Sequence, residues 1–215
     1  MVSSKSYEKR EVTHGNSWGA FAKIEVSELG TVTFGKPAIF TGLRSTSFET
    51  SQDSTPSYAD NQEHVRLYGT ENTEGTITVL QFPKQFVLDH LGRKETSNGM
   101  LINTGKYTSF AWQYIETVTD EFGNEFEELN IYYNVRANAP TNASQTDEES
   151  AEAKEFEIPV IATPNNGVVD EEGKPVTHAR LRKTEANAAL FDLAYEQVIL
   201  PDTPIPVTPI PVVGG

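Results

Sequence analysis

The stretch FAWQYIETVTDEFGNEFEELNIYYNVR, residues 110–136, sets the pattern from which the fold can be predicted. Both of its halves place apolar side chains at every second position: Phe110, Trp112 and Tyr114 in the first half, and Leu129, Ile131, Tyr133 and Val135 in the second. Between them lies DEFGNE, residues 120–125, whose Gly and Asn favour a turn. A period of two on both sides of a turn predicts a long antiparallel hairpin.

The same period recurs elsewhere, in residues 20–26 and in residues 156–162, where Phe, Ile, Val and Ala alternate with other residues. Two segments instead have helical spacing. One covers residues 83–91, with Pro in the first turn and Gly92 just past the end, and the other covers about 185–198. We therefore predict an all-β fold of two packed β-sheets with one or two flanking helices.

Length and composition restrict the class of protein. A chain of 215 residues is predicted to form one domain with a sizeable core, and it contains no cysteine for disulfides or thiolate metal sites. We expect neither a membrane span nor a signal peptide, because no apolar run is long enough. The formal net charge of −14 argues against general DNA binding, which needs a basic face.

The acidic residues are concentrated in residues 116–172, which contain fifteen Asp and Glu but only Arg136 and Lys154 as basic residues. The difference, 15 − 2, leaves −13, nearly the whole net charge. Two interpretations stay open. These acids form solvated loops and outer strand faces, or they form a surface that repels polyanions.

Three polar or proline-rich segments differ from the core pattern. Residues 41–57 are rich in Ser and Thr and are predicted to be a long loop, and residues 138–154 are polar and acidic. Residues 200–215 repeat Pro-x-Pro and are predicted to be an extended arm. We accordingly divide the chain into an N-terminal arm (1–18), a β domain (19–199) that includes the long loop, and a C-terminal arm (200–215).

No motif indicates catalysis or a cofactor. GNSWG, residues 15–19, matches G-x-S-x-G, but a strand follows it instead of the required helix. The four histidines are isolated, and His90 is expected to interact with the carbonyls at the end of the first helix. Residues 120–124 look like a calcium loop, but Glu125 stands where that loop needs Gly. We predict no catalytic residue, no metal site and no cofactor.

Several pieces occur in an order that resembles one family. They are Asp60-Asn61 after a polar segment, the strand at 75–80, the helix ending at Leu91-Gly92, Gly99, the hairpin at 110–136, FEIPVIATP at 156–164 and ALFDLAYEQV at 189–198. This order, over most of residues 15–200, resembles the major tail tube protein of long-tailed, non-contractile phages, especially those of Gram-positive hosts. Longer members carry an added immunoglobulin-like domain at the C-terminus, and we expect the Pro-rich segment in its place here.

The resemblance implies a structural virion protein that is not an enzyme. Six subunits would join sheets edge to edge into a ring, and rings would stack into the tail tube through which DNA is ejected. Closure of such a ring removes open strand edges. Expected partners are further copies of the chain, the tape measure protein, the tail terminator and distal tail proteins, with transient passage of DNA and no membrane. Assembly is expected in the host cytoplasm.

The resemblance also suggests roles for individual residues. The loop after the second strand and the terminal arms would bridge rings, so Phe48, Tyr58, Asp60 and Asn61 are candidate contacts between subunits or rings. Asp60 and Asn61 are expected to form a turn where the bridging segment returns to the sheet. Candidate acids of the channel lining are Glu116, Glu127 and Glu128.

Two functions from other classes remain open at this point. A carbohydrate-binding β-sandwich could use aromatic stacking faces, for which the candidates are Trp18, Trp112, Tyr132 and Tyr133. A metal-dependent hydrolase could use the acidic cluster, although the sequence shows no spaced His ligands.

Overall fold

The computed structural model describes residues 10–28, 30–140 and 154–206. The strands, in chain order, are β1 Glu11–Val26, β2 Val32–Phe34, β3 Ala38–Ile39, β4 Leu43–Ala59, β5 Gln62–Val79, β6 Leu91–Glu95, β7 Leu101–Tyr107, β8 Phe110–Asp120, β9 Glu125–Ala137, β10 Phe156–Ala162, β11 Asn165–Val169, β12 Pro175–Val176 and β13 His178–Arg182. The helices are α1 Lys84–Asp89 and α2 Ala188–Leu193. The predicted all-β fold with flanking helices is confirmed, but instead of two packed sheets the described residues form one nine-stranded sheet and two small sheets of two strands each.

Three long antiparallel strands, β1, β8 and β9, form the centre of a nine-stranded sheet whose main path is β2-β1-β8-β9-β10-β5-β4. The sheet branches at both outer edges of this centre. Along β9, residues 128–132 pair with β13 and residues 135–137 pair with β10. Along β1, residues 24–26 pair with β2 and residues 20–21 pair with β3. Two further sheets, β6-β7 and β11-β12, have two strands each.

The central strands bury side chains on both faces. On β8, Phe110, Trp112 and Tyr114 belong to one apolar cluster, whereas Ala111 and Ile115 belong to a second. Helix α1 contributes Phe86 to the first cluster, and helix α2 contributes Leu190 and Phe191 to the second. The predicted hairpin therefore exists, but it is sandwiched between two cores.

One expected core position lies on the other face. Val135 does not share a face with Leu129, Ile131 and Tyr133, because it packs in the first cluster beside Phe110. The cause is a register shift: Phe110 pairs with Val135, but Trp112 pairs with Tyr132, so β9 carries one extra residue there. A bulge of this kind reverses the side-chain alternation beyond it.

The predicted domain boundaries need two corrections. Residues 11–18 are not an arm, because they continue β1 and pair with β8 from Asp120 to Ile115. Leu200 is not outside the core, because it packs against the second cluster. The rest of both predicted arms falls partly on residues 1–9 and 207–215, outside the described residues.

Both helices are shorter than predicted. The first ends at Asp89, because Leu91 and Gly92 already belong to β6, where Gly92 has φ +59° and a Cβ would meet the Lys106 backbone nitrogen at 2.8 Å. The second covers Ala188–Leu193 and is followed by turns. Each helix has fewer than two turns, so it is stabilised by packing against the sheet and not by intrinsic helix propensity.

His90 occupies a different environment from the one predicted. Its backbone N–H donates to the Phe86 carbonyl at 2.9 Å, but its side chain is buried and lies within about 5.5 Å of the rings of Phe21, Phe86 and Phe110. Nδ1 lies 3.3 Å from the Thr108 carbonyl, an acceptor, so Nδ1 carries the hydrogen. Nε2 has no partner among the described residues. Burial lowers the pKa of His90 to about 4.

Truncation of Phe86 tests the first core. The ring is fully buried and meets Phe21, Phe40 and Phe110 edge-on. Phe86→Ala should lower the free energy of unfolding by about 3–5 kcal/mol, measured by denaturant titration. Gln85→Ala, on the exposed side of the same helix, should change it by less than about 0.5 kcal/mol. Equal effects of the two variants would contradict the assigned packing.

The buried imidazole of His90 predicts a loss of stability in acid. Because its folded pKa of about 4 lies below the ordinary 6.5, the unfolded state binds the proton more tightly. The stability from neutral His90 is complete above pH 6.5 and is lost as the pH falls to about 4, by about 3 kcal/mol in total. Denaturant titrations at several pH values should show a smaller loss for His90→Gln. The exposed His64→Gln is the control, and equal slopes for wild type and His90→Gln would refute this assignment.

Candidate functional site

Residues 41–57, predicted as a loop, instead contribute most of a strand. β4 pairs with β5 from Leu43 to Ala59, and the two strands are joined by the two-residue turn of Asp60 and Asn61. Both turn residues have positive φ, 53° and 61°. Two-residue hairpin turns of type I′ need positive φ at both positions, and Asp and Asn tolerate it well. The predicted turn is thus present, at the tip of a long hairpin arm, residues 43–79.

The inner part of the hairpin arm is anchored in the first core. Ile77 and Val79 are fully buried. The Phe48 ring stacks on Tyr132 with centroids 3.8 Å apart. It also covers Gly75, where a Cβ would lie 2.6 Å from the ring. The Cβ would lie closer still to the Ser47 carbonyl oxygen, so a side chain at 75 would displace both the β4 backbone and the Phe48 ring, which explains the glycine in the middle of β5.

The outer arm, residues 51–72, has no core on either face. Apart from the half-buried Pro56, every residue there whose side chain the structure describes is exposed. Exposure reaches 69% for Tyr58, 62% for Leu67 and 46% for Val65. Val65 and Leu67 are two residues apart and so share a face. An isolated two-stranded hairpin is marginally stable in water, so the outer arm requires a further surface for full stability.

The four predicted contact residues divide between these two parts. Phe48 packs on its own subunit, whereas Tyr58, Asp60 and Asn61 lie at the exposed tip. Sequence reasoning missed Val65 and Leu67. The signal was present, since Val65 and Leu67 alternate with the polar residues His64 and Arg66, beginning four positions beyond the turn pair.

The three predicted lining acids lie on β8 and β9 close to basic residues or amides. Buried Glu128 accepts a hydrogen bond from Arg182 Nε at 2.8 Å, and Glu127 accepts one from Lys183 Nζ at 2.7 Å. Glu116 accepts one from Asn130 at 3.1 Å, and burial raises the pKa of its carboxyl. Glu127 and Glu128 therefore fasten β13 and its flank to the central hairpin, whereas Glu116 links the two strands of the hairpin itself.

Arg182 also reaches the start of β1. Its two terminal nitrogens contact both carboxylate oxygens of Glu11, at 2.9 and 2.8 Å. Arg182 thus joins β1, β9 and β13. Bidentate pairs of this kind are among the stronger ion pairs. The arrangement is structural, because each group already has a partner.

The geometry does not support the other two functions. Trp112, Tyr132 and Tyr133 are buried, so they present no stacking face to a sugar, and Trp18 packs edge-on against Tyr195 at 5.0 Å. Within residues 10–28, 30–140 and 154–206, no group of three or more His, Asp or Glu could hold a metal ion. GNSWG lies inside β1, so it forms no nucleophile elbow. Residues 120–124 form a turn in which Asp120 accepts the N–H groups of Phe122 and Asn124.

Neither α1 nor α2, the helices of the described part of the chain, is long and apolar enough to cross a membrane. A family model described as phage tail tube protein matches residues 1–208. A search of curated proteins found no significant match.

Proposed function

Because the chain belongs to the phage tail tube protein family, we propose that it polymerises as stacked hexameric rings into the tail tube and so forms the conduit for DNA ejection. The family gives the coarser role: a structural protein of the virion tail that assembles with itself into a tube. The observation that carries the finer proposal is the outer arm, which is exposed on both faces.

The outer arm is the bridging element of this proposal. It is too long to be an ordinary hairpin end and it lacks a core, so its backbone and its apolar residues Tyr58, Val65 and Leu67 are available to a neighbour. Burial of these side chains contributes about 25 cal/mol per Å² of apolar area. In a tube the neighbour is the adjacent ring.

Strand edges supply the contact within a ring. β4 and β2 end the two sides of the main sheet path, so each carries an edge without a strand partner in the described chain. Open edges pair readily with other strands. Edge-to-edge joining of subunits converts six sheets into one closed wall, and six is the number that the family resemblance suggests.

Further partners follow from the same family role. A tube needs a length-setting tape measure protein inside, a terminator at one end and distal tail proteins at the other. Its subunits would assemble in the host cytoplasm before they join the virion. Phage DNA would pass through the channel without sequence-specific contact.

Excision of the outer arm tests the proposal. Replacing residues 52–71 by Asn-Gly joins Ser51 to its partner Asn72 through a two-residue turn. Because this segment adds nothing to either core, the variant should melt within a few degrees of wild type and yet form no tubes under negative stain. Gln85→Ala, at an exposed position outside the arm, is the control and should form normal tubes. Normal tubes from the excised variant would refute the bridging role.

The acidic lining makes a separate prediction. An inner wall that repels DNA would ease ejection, since duplex DNA carries one negative charge per roughly 1.7 Å. Glu116, Glu127 and Glu128 remain candidates, but the ion pairs of the last two reduce their net contribution. A cryo-EM map of the tube should show an inner wall with excess carboxylates. A neutral or basic inner wall would contradict this lining.

A further inference from the structure

A second exposed hairpin, β6-β7, has an apolar tip with no cover. We define the basic hairpin as residues 91–107. Met100, Leu101 and Ile102, at its turn and in the first positions of β7, are 59%, 49% and 42% exposed. Three consecutive apolar residues point to both faces of the hairpin, so no single packing within this subunit could cover them.

The charge of this hairpin is opposite to that of the chain. It carries Arg93, Lys94 and Lys106, which form no ion pair within the described residues, and its only acid, Glu95, is bridged to Lys84. Lys94 pairs directly with Ile102 across the two strands, so a positive charge stands beside an exposed apolar side chain. In a chain of net charge −14, the partner expected for such a patch is an acidic surface that also offers an apolar group.

The turn between β8 and β9 presents this combination. We define the acidic turn as residues 121–125. Phe122 is 73% exposed, and the exposed Glu121 and Glu125 beside it form no ion pair within the described chain. Asp120 holds the turn rigid through bonds to the N–H groups of Phe122 and Asn124, at 2.9 and 2.8 Å. A preordered turn loses little conformational entropy on binding.

The two patches lie at opposite ends of the central strand β8. The basic hairpin leads into β8 at Phe110, and the acidic turn follows Asp120, so eleven residues of strand separate them. At about 3.3 Å per residue, this is roughly 36 Å. One subunit therefore cannot bring its own two patches together, whereas two subunits placed head to tail can.

The register places the arm on the same side as the acidic turn. Thr73, Ala162, Val135 and Phe110 pair successively across β5, β10, β9 and β8. These four paired residues form a row across the sheet. On one side of the row lie the outer arm, which continues β5, and the acidic turn, which ends β8. The basic hairpin precedes Phe110 and so enters β8 at the row itself. The arm and the acidic turn thus point toward one neighbour.

We propose that the basic hairpin of one copy of this chain docks on the acidic turn of the next, with Phe122 against the apolar tip and Glu121 and Glu125 against Lys94 and Lys106. This contact rests on the proposed function and names the interface between successive subunits. It is heterologous, because each copy uses two different patches, and a heterologous contact whose rotation does not close propagates along an open assembly.

Two charge reversals test the contact. Variant one is Lys94→Glu with Lys106→Glu, and variant two is Glu121→Lys with Glu125→Lys. Each alone sets like charges against each other at the interface, so pelletable tubes should fall at least tenfold. Equal mixing of the two variants should restore tubes, because the hairpin of either one then complements the turn of the other. Purely structural damage cannot be repaired by mixing.

Matched controls carry the same charge changes at other exposed sites. They are Lys36→Glu with Lys174→Glu, which additionally break the exposed ion pairs to Glu196 and Glu172, and Glu28→Lys with Glu171→Lys. Exposed ion pairs contribute little to stability, so both should assemble like wild type. Thermal melting of all four variants verifies that the subunits fold. Since the charges are exposed, raising the salt should weaken wild-type assembly as the screening length shortens.

The outcomes separate this contact from the proposed function. If wild type forms no tubes, the proposed function fails and this contact fails with it. If wild type forms tubes and neither reversal reduces them, or if mixing does not restore them, the contact alone is overturned. The last outcome concerns DNA. If wild type retards a duplex DNA fragment in a gel and variant one does not, and if mixing the two variants does not restore tubes, the basic hairpin binds polyanions and the proposed contact is overturned.

Discussion

The three central strands, β1, β8 and β9, must bury side chains on both faces, and the rest of the structure depends on this constraint. Alternating residues of β8 enter two separate apolar clusters. Each cluster therefore needs its own cover. Helix α1 supplies Phe86 on one side and helix α2 supplies Phe191 on the other, although each helix has only six residues. The sheet branches at β1 and β9, and the additional strands beside them, such as β3 and β13, cover the rest of the two clusters.

The hairpin arm shows the opposite case. Its inner part has one face on the first core, where Phe48 stacks on Tyr132 and covers Gly75. Beyond Thr73 the same two strands continue without any buried residue in the described side chains. The chain thus extends a sheet into solvent, where it lacks hydrophobic stabilisation. In a protein of a tube-forming family, the missing stabilisation can come from another copy.

The sequence predicted those parts of the fold in which local pattern and burial agree. The hairpin of β8 and β9 was found because its apolar alternation and its Gly/Asn turn agree. Most of the hairpin arm was not predicted, because no core lies beneath its outer strands. Ser and Thr therefore stand there in place of alternating apolar and polar residues. Val135 was assigned to the wrong face because a one-residue bulge leaves no mark in the pattern.

Site residues were predicted unevenly for a related reason. The turn at Asp60 and Asn61 was predicted because those side chains suit positive φ. The partners of Glu127 and Glu128 were not, since Lys183 and Arg182 are more than fifty positions away in the chain and only the pairing of β13 with β9 brings them together. A turn can be predicted from adjacent residues, whereas an ion pair between distant residues can be predicted only when the order of the strands is known.

Hydrogen–deuterium exchange along residues 51–72 tests most directly whether the outer arm is completed by assembly. The amides would be followed in the free subunit and in tubes purified from the same protein. Our account expects fast exchange in the free subunit, with slow exchange in β8 and β9, and strong protection of the outer arm in tubes. Equal exchange of the outer arm in both states would contradict it.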